Sequence, residues 1–404
     1  MLAIALVCVV ITFTLRRGFT ALGTNDLGNG LEPLSHPHQS MSTAPFSSRR
    51  EVLDLFQARL ENTHQSLVED VELEFGQNML KTHLIESNIS PSKLFETYEP
   101  ITQVEEIDAD LYLVAVEAAF GTGSVFLDTL DDRFWRLFSM EDSTFTKTLI
   151  NKMLSREGSG LDRLWLPSNQ VEQIIEMGEF EGVGMSYDAD DVFPDEFIED
   201  NLLFGDLSVN TSGHGAQRLY SLLRESDDIK KFLSLSNVQI RREVDGEFVR
   251  ERITNDGGFT TRGGANIQVQ TVDQIKRRYA AVVDAIEANH RLHASSREHG
   301  VRPKGKPAVI GFTEPIEDID GFLDHIVNAR DPFRLWGHTQ QLDSDYYQVD
   351  GVDMHNGDAV SIELTPEWMR LYLHEDACGN TVLRIFTNLQ HHYDPSAKLV
   401  IDDV

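Results

Sequence analysis

Apolar residues recur at helical spacing near the start of the chain. One face of a helix with 3.6 residues per turn carries Val52, Leu53, Phe56 and Leu60. Ser48 and Glu51 precede this face with the spacing of a capping box, which marks a helix start. The pattern predicts a mainly helical stretch from Arg49 to about Asn88, with a break at Pro91.

The middle of the chain alternates short apolar runs with glycine-containing turns. We predict strands at 111–120, 134–140, 179–187 and 207–210, and helices at 144–154, 168–177, 216–225 and 272–293. The clearest local signal is Asp245-Gly246 between Val238–Val244 and Phe248–Ile253. This dipeptide suits a two-residue turn, so the segment is predicted to be a β-hairpin.

The last hundred residues have mostly the short alternating runs of strands. We predict an exposed linker at 295–307, a helix at 315–329, and strands at 346–352, 359–364, 369–374 and 381–389. Helices and strands mix without a regular βαβ alternation, which favours an α+β fold. Its expected architecture is a helical N-terminal part, a mixed α/β middle with the hairpin, and a β-rich C-terminal part.

An acidic stretch at 188–200 that contains Pro194 is the best candidate for a domain boundary. It divides the chain into a helix-rich α+β domain at 41–187 and an α+β module with the basic hairpin and helix at 201–294. A helix plus β-rich domain at 308–404 follows the linker. Residues 1–40 are predicted to be an apolar leader followed by a flexible segment.

The apolar leader, Met1–Leu15, is short for a membrane span and lacks the charge order of a signal peptide. Two interpretations remain: translation begins at Met41, or the leader is a short membrane tether. Arg16 and Arg17 would then keep the body of the protein on the cytoplasmic side. Both interpretations predict a cytoplasmic protein.

The composition is acidic but otherwise typical of a globular protein. The 404 residues are 41% hydrophobic and carry 66 acidic against 35 basic side chains, for a net charge of −31. Such a composition with few lysines suggests a salt-accumulating organism, because high salt screens the repulsion among the protein's own carboxylates. The alternative is an acidic protein from a mesophile. Only Cys8 and Cys378 occur, which excludes a disulfide framework.

Positive charge is concentrated in the segment from Lys230 to Lys306. It has 15 Lys and Arg against 9 Asp and Glu, a net of +6 in a chain whose remainder carries −37. The hairpin and the following helix supply the predicted binding residues, which are Arg241, Arg242, Arg250, Arg252, Arg262, Lys276, Arg277 and Arg278. Such a surface suits nucleic acid or another polyanion. The alternative is that these cations pair with the protein's own carboxylates, across a domain or subunit interface.

The turn Ser212-Gly213-His214-Gly215 lies between a predicted strand and helix and could hold an anion on backbone N–H groups. It lacks the complete signatures of a P-loop or a dinucleotide fingerprint, so a plain strand-to-helix turn is the alternative. An alternative function is therefore an enzyme whose site assembles from dispersed Asp, Glu and His, with this turn holding an anion. A third possibility is an oligomeric scaffold whose basic segment meets an acidic neighbour.

The sequence predicts no metal site and leaves the catalytic residues and the cofactor unknown. The histidine pairs at 290/293 and 391/392 would have to converge from distant segments, and the acidic stretch lacks the glycine and glutamate of a calcium loop. The usual hydrolase, kinase, nucleotide-binding and metalloprotease motifs are missing from the chain.

Overall fold

The computed structural model describes residues 46–68, 79–200, 205–226, 229, 232–297 and 300–401. Helices and antiparallel sheets are mixed in these ranges, which confirms the α+β class. The helices are α1 (Arg49–Val68), α2 (Pro91–Thr97), α3 (Ser143–Leu154), α4 (Ser168–Ile175), α5 (Asp195–Asp200), α6 (Ala216–Glu225), α7 (Ala265–His290), α8 (Ile319–Ile326) and α9 (Asn380–His392).

The strands form one large sheet, one smaller sheet and a separate pair. They are β1 (Leu80–Ser87), β2 (Ile101–Asp108), β3 (Leu111–Ala118), β4 (Gly121–Asp128), β5 (Phe134–Ser139), β6 (Leu161–Arg163), β7 (Glu179–Asp188), β8 (Asp206–Ser212), β9 (Ser234–Val244), β10 (Glu247–Thr254), β11 (Gly258–Gly263), β12 (His293–Arg297), β13 (Gly300–Lys304), β14 (Ala308–Gly311), β15 (Leu335–Asp343), β16 (Tyr346–Asp353), β17 (Ala359–Leu364), β18 (Trp368–Leu373) and β19 (Lys398–Val400).

The larger sheet has 11 strands in the order β2-β3-β4-β5-β1-β11-β10-β9-β7-β8, with β6 also paired to β1. Its strands come from both sides of the acidic stretch at 188–200. The three-domain division stays a prediction. The larger sheet nevertheless joins strands from the proposed first domain and the proposed middle module.

Helices cover both faces of the larger sheet at β1, because side chains alternate along a strand. The Gln268 amide of α7 donates to Thr82 Oγ1 at 2.8 Å, so Thr82 faces α7. Ile85 points the other way and packs with Leu149 of α3. Helix α1 lies on the side of α7, where Phe56 joins Ala265 in one apolar cluster.

The smaller sheet has six strands in the order β15-β16-β17-β18-β14-β19. Helix α9 is packed so tightly that every residue except His391 is buried. Residues of α7, α9 and both sheets belong to one apolar core. The two sheets are therefore held around a shared interior.

The predicted hairpin is confirmed. Strands β9 and β10 pair in antiparallel register around Asp245 and Gly246, whose φ angles are 53° and 82°. Two successive positive φ angles define the turn type that matches the twist of the flanking strands. Here the local residue chemistry alone determines the structure.

The helical prediction is wrong from Leu80 to Ser87, where the chain forms β1. The apolar residues Leu80, Leu84 and Ile85 resemble a helix face, but β1 is a central strand covered on both sides. A strand buried on both faces loses the strict apolar–polar alternation that identifies strands in a sequence. Residues 69–78 of the predicted helix lie outside the described residues.

The prediction of a strand at 381–389 is also wrong, because this segment is the centre of α9. The β-branched and aromatic residues in TVLRIFTNL favour a strand by propensity. A helix buried all round has no polar face to reveal its period, so tertiary packing overrides that propensity.

The predicted linker at 295–307 instead contains most of the β12–β13 pair. None of the helices in the described ranges combines the length and apolar character that a bilayer crossing requires. The apolar leader Met1–Leu15 lies outside those ranges.

Candidate functional sites

The arginines of the hairpin lie on two faces of the larger sheet. Arg242 Nη1 donates to Thr271 Oγ1 of α7 at 2.5 Å, and that hydroxyl donates to Glu251 Oε2 at 2.7 Å. Arg242 therefore faces α7. Because side chains alternate along a strand, Arg241 and Arg250 lie on the opposite face.

Three arginines on that opposite face are in register across adjacent strands. Arg241 of β9 pairs with Arg250 of β10, which pairs with Arg262 of β11. We call Arg241, Arg250 and Arg262 the arginine row. Arg252 lies on the same face, two residues along β10, and is exposed. Like charges directly opposite each other destabilise a sheet, so the row is not explained by sheet stability.

The arginine row is partly neutralised within the protein. Arg250 Nη2 donates to Glu181 Oε1 at 2.8 Å, and the two side chains form an ion pair. The Arg241 guanidinium lies 4.8 Å from the centre of the Phe248 ring. Arg262 also has interactions of its own.

The predicted residues of α7 lie away from the row, because this helix covers the other face of the sheet. Lys276 forms an ion pair with Asp131 at 2.9 Å. Arg277 is exposed and donates a hydrogen bond to the Asp273 carbonyl oxygen. Arg278 is also exposed and lies beside a cleft of about 810 Å³, which α4, α9 and β19 border as well. The structure thus brings together Arg241, Arg250, Arg252 and Arg262 but not Arg242 and the three cations of α7.

The turn at Ser212–Gly215 connects β8 to α6 as predicted. Ser212, Gly213 and His214 are exposed, and the Gly213 N–H already donates to the Glu181 carbonyl oxygen at 2.8 Å. Two clefts, of about 460 and 810 Å³, are lined by other segments. An anion at this turn stays a prediction.

The structure gathers dispersed Asp, Glu and His residues at a different place, between the two sheets. We call this group the buried polar cluster; its members are Glu86 of β1, Asp162 of β6, Asp353 of β16, His355, Cys378 and Arg384 of α9. All are at most 2% exposed. Buried charge is costly unless it is paired, so each contact in the cluster matters for stability.

Arg384 joins the two carboxylates of the cluster. It forms ion pairs with Asp162 and with Asp353, the latter at 2.5 Å, and donates to the Phe333 carbonyl oxygen at 3.1 Å. Burial alone would raise the pKa of both carboxyl groups, but the Arg384 guanidinium keeps each pKa below its usual value. The same two carboxylates raise the pKa of Arg384 against the effect of burial.

Glu86 contacts Cys378 within the cluster and Arg133 outside it. Its Oε1 lies 2.6 Å from Arg133 Nη2 and 3.1 Å from Cys378 Sγ. Arg133 also pairs with Glu287 at 2.6 Å. Burial raises the pKa of Glu86, although Arg133 favours the charged form. Burial, reinforced by the Glu86 carboxylate, raises the pKa of the Cys378 thiol.

His355 has a polar group beside each ring nitrogen. Its Nε2 lies 2.9 Å from Asn88 Nδ2, and its Nδ1 lies 3.1 Å from Asp353 Oδ2 without the geometry of a hydrogen bond. Because the Asn88 amide nitrogen can only donate, Nε2 carries the lone pair and Nδ1 carries the proton that faces the Asp353 carboxylate. The backbone at His355 is fixed in turn, since its carbonyl oxygen accepts from the Gly160 N–H at 2.8 Å.

Sequence reasoning missed the buried polar cluster because its members come from well-separated segments between positions 86 and 384. The histidines that it did consider have separate local partners. His290 Nδ1 lies 3.2 Å from the Lys306 carbonyl oxygen, and His391 Nδ1 lies 3.2 Å from Ser234 Oγ. A usable signal was a charged residue inside an apolar run, as with Arg384 in TVLRIFTNL.

Comparison with known proteins gives one family and one curated relative. A family model described as MJECL33-like protein matches residues 41–404. The chain is 28% identical over 396 residues to a Methanocaldococcus jannaschii protein described as uncharacterized protein MJECL33. The alignment covers 88% of this chain and 94% of the relative. No solved structure matches.

Proposed function

Residues 41–404 of this chain belong to the MJECL33-like protein family, and we propose that this member binds nucleic acid. The binding surface is the arginine row together with Arg252. The observation that carries this proposal is the register of Arg241, Arg250 and Arg262 on three adjacent strands. Their mutual repulsion is relieved when phosphates lie across them.

The dimensions of the row suit a phosphate backbone. Neighbouring strands lie about 4.8 Å apart, so the three arginines extend over roughly 10 Å. Arginine offers a planar fork of N–H donors that matches phosphate oxygens. The remainder of the chain repels polyanions, which restricts binding to this face.

The test compares two charge-matched double variants in binding to fluorescent single- and double-stranded oligonucleotides. Arg250→Glu with Arg252→Glu should abolish binding, whereas Arg277→Glu with Arg278→Glu makes the same charge change on the other side of the sheet and should retain it. A loss in both variants would indicate a general charge effect. No binding by the wild-type chain at low salt would refute the proposal.

Salt dependence gives a second criterion. If four arginines contact duplex phosphates, the slope of log K against log salt concentration should be about −3.6. Arg252→Ala should reduce its magnitude by about 0.9. Because the composition suggests a salt-accumulating organism, the titration should extend from low to molar salt. Binding of polyphosphate or heparin with no preference for nucleic acid would point to another polyanion.

Light scattering on the same variants addresses the scaffold alternative. If the arginine row meets an acidic neighbour in a homo-oligomer, Arg250→Glu with Arg252→Glu should dissociate that oligomer. An unchanged mass, together with lost oligonucleotide binding, would support the nucleic-acid proposal.

A further inference from the structure

Three side chains of the buried polar cluster have the chemistry of metal ligands. One ligand atom from each of Glu86, His355 and Cys378 lies within 4.8 Å of those of the other two. Thiolate sulfur, imidazole nitrogen and carboxylate oxygen are the donors that Zn²⁺ binds. Tetrahedral coordination with ordinary bond lengths places ligand atoms about 3.5 Å apart, so a closing of about 1 Å would form the site.

Glu86 has an oxygen that nothing in the described part of the chain uses. Its side chain is fully buried, and Oε2 makes no hydrogen bond, whereas Oε1 receives Arg133 and Cys378. Buried polar atoms are nearly always satisfied, and an unsatisfied one can indicate a missing ion. Oε2 can therefore bind a cation while Oε1 keeps its contact with Arg133.

His355 is oriented as metal-binding histidines usually are. Such residues donate the second ring N–H to a carboxylate, which fixes the tautomer. The Asn88 contact leaves the Nδ1–H of His355 facing the Asp353 carboxylate, which is itself held by Arg384 and Thr381, so Nε2 is the ligand atom. The Asn88 amide that now occupies Nε2 belongs to an exposed residue. Displacement of this amide frees Nε2 for an ion.

From these observations, we propose that Glu86, His355 and Cys378 bind one divalent transition-metal ion of the zinc type between the two sheets. Three protein ligands leave a fourth position for water or another small ligand. On binding, the S–H bond of Cys378 breaks, the sulfur electron pair forms the bond to the metal, and the proton passes to solvent. The two anionic ligands balance the charge of the ion, and Glu287 continues to neutralise Arg133.

Cobalt titration of the chelator-treated full-length chain tests the site. Co²⁺ should occupy one high-affinity site and produce the near-ultraviolet charge-transfer band of a thiolate ligand. Cys378→Ser should remove the band, and Cys8→Ser is the matched control that should retain it. Carboxylates on the acidic surface can bind Co²⁺ but give no thiolate band. A wild-type chain without the band would overturn the proposal.

Two further variants distinguish the loss of a metal ligand from a folding defect. Asn88→Ala removes the amide that competes for His355 Nε2, so cobalt affinity should stay equal or increase. Asp353→Asn should lower the affinity about 10- to 100-fold, as loss of an outer carboxylate does. Circular dichroism must show native spectra. If natively folded Cys378→Ser and His355→Gln variants bind Co²⁺ as tightly as the wild type, the cluster is not a metal site.

Discussion

Glu251 lies in the middle of β10 with no exposure to solvent. Burial raises its pKa to about 8, although the Thr271 hydroxyl and the Arg242 guanidinium favour the charged form. At neutral pH this carboxyl group is therefore mainly protonated in the folded protein. In the unfolded chain it ionises near its ordinary pKa of 4.5.

This difference predicts a pH-dependent stability. Between about pH 4.5 and 8 the folded protein holds a proton on Glu251 that the unfolded chain releases. The free energy of unfolding should therefore fall by up to about 1.4 kcal/mol per pH unit as the pH rises through this window. Glu251→Gln should remove that contribution, so the variant should exceed the wild type in stability most clearly at pH 8. Urea unfolding at several pH values measures this.

Glu243→Gln provides the control, because it removes an exposed carboxyl group from the same hairpin. It should leave the pH dependence close to that of the wild type. Histidines whose pKa is lowered, such as His83 with a pKa that desolvation lowers to about 4, destabilise the fold as the pH falls, and they act equally in both variants. Parallel pH profiles for wild type and Glu251→Gln would contradict the assignment.

Single residues were predictable from the sequence only where their chemistry is local. Asp245-Gly246 determines its turn through positive φ angles. By contrast, no neighbour in the sequence indicates that Glu251 is buried beneath α7 or that Glu86 meets Cys378. Those environments depend on contacts between distant segments.

At the scale of elements, α9 depends on the ion pairs of Arg384. The guanidinium is fully buried and holds two carboxylates, one from each sheet. Arg384→Met keeps the bulk of the side chain but leaves Asp162 and Asp353 buried without their cation. We expect a loss of about 3–5 kcal/mol in the free energy of unfolding, measured by urea denaturation.

Arg370→Met is the matched control for this loss. Arg370 of β18 pairs with Glu363 at 3.2 Å, but 42% of its side chain is exposed. Partly exposed ion pairs contribute little to stability, so Arg370→Met should lower the free energy of unfolding by at most about 1 kcal/mol. Equal effects of the two substitutions would show that the network around α9 does not hold the sheets together.

Elements with an exposed face were the ones that the sequence predicted well. Helix α6 has the predicted bounds Ala216–Glu225, and β17, whose side chains alternate between buried and more exposed, has the predicted bounds Ala359–Leu364. Strand β1 and helix α9 were misassigned because burial on all sides erases the polar half of the hydrophobic pattern. Both of these misassigned elements contribute residues to the buried polar cluster.

For the whole molecule, the net charge of −31 governs how salt affects stability. Raising the salt from about 0.1 M to about 1 M shortens the screening length from roughly 10 Å to roughly 3 Å. Repulsion among surface carboxylates then weakens in the compact state. We expect the melting temperature to rise with KCl over this range, by calorimetry or circular dichroism. A flat profile would contradict the salt-adapted interpretation of the composition.

The sequence predicted the α+β class and the concentration of cations, but not the division of those cations between two faces of one sheet. That division depends on where α7 lies, which no local pattern determines. The same holds for the buried polar cluster, because the chain must first bring β1, β6, β16 and α9 together.

The burial of Cys378 gives the protein an internal reporter of its own opening. With Cys8 replaced, an alkylating reagent can modify the remaining thiol only in molecules whose two sheets have separated around α9. The labelling rate would then follow how often that interior is exposed. Oligonucleotides or metal ions could be compared by how far each slows the modification.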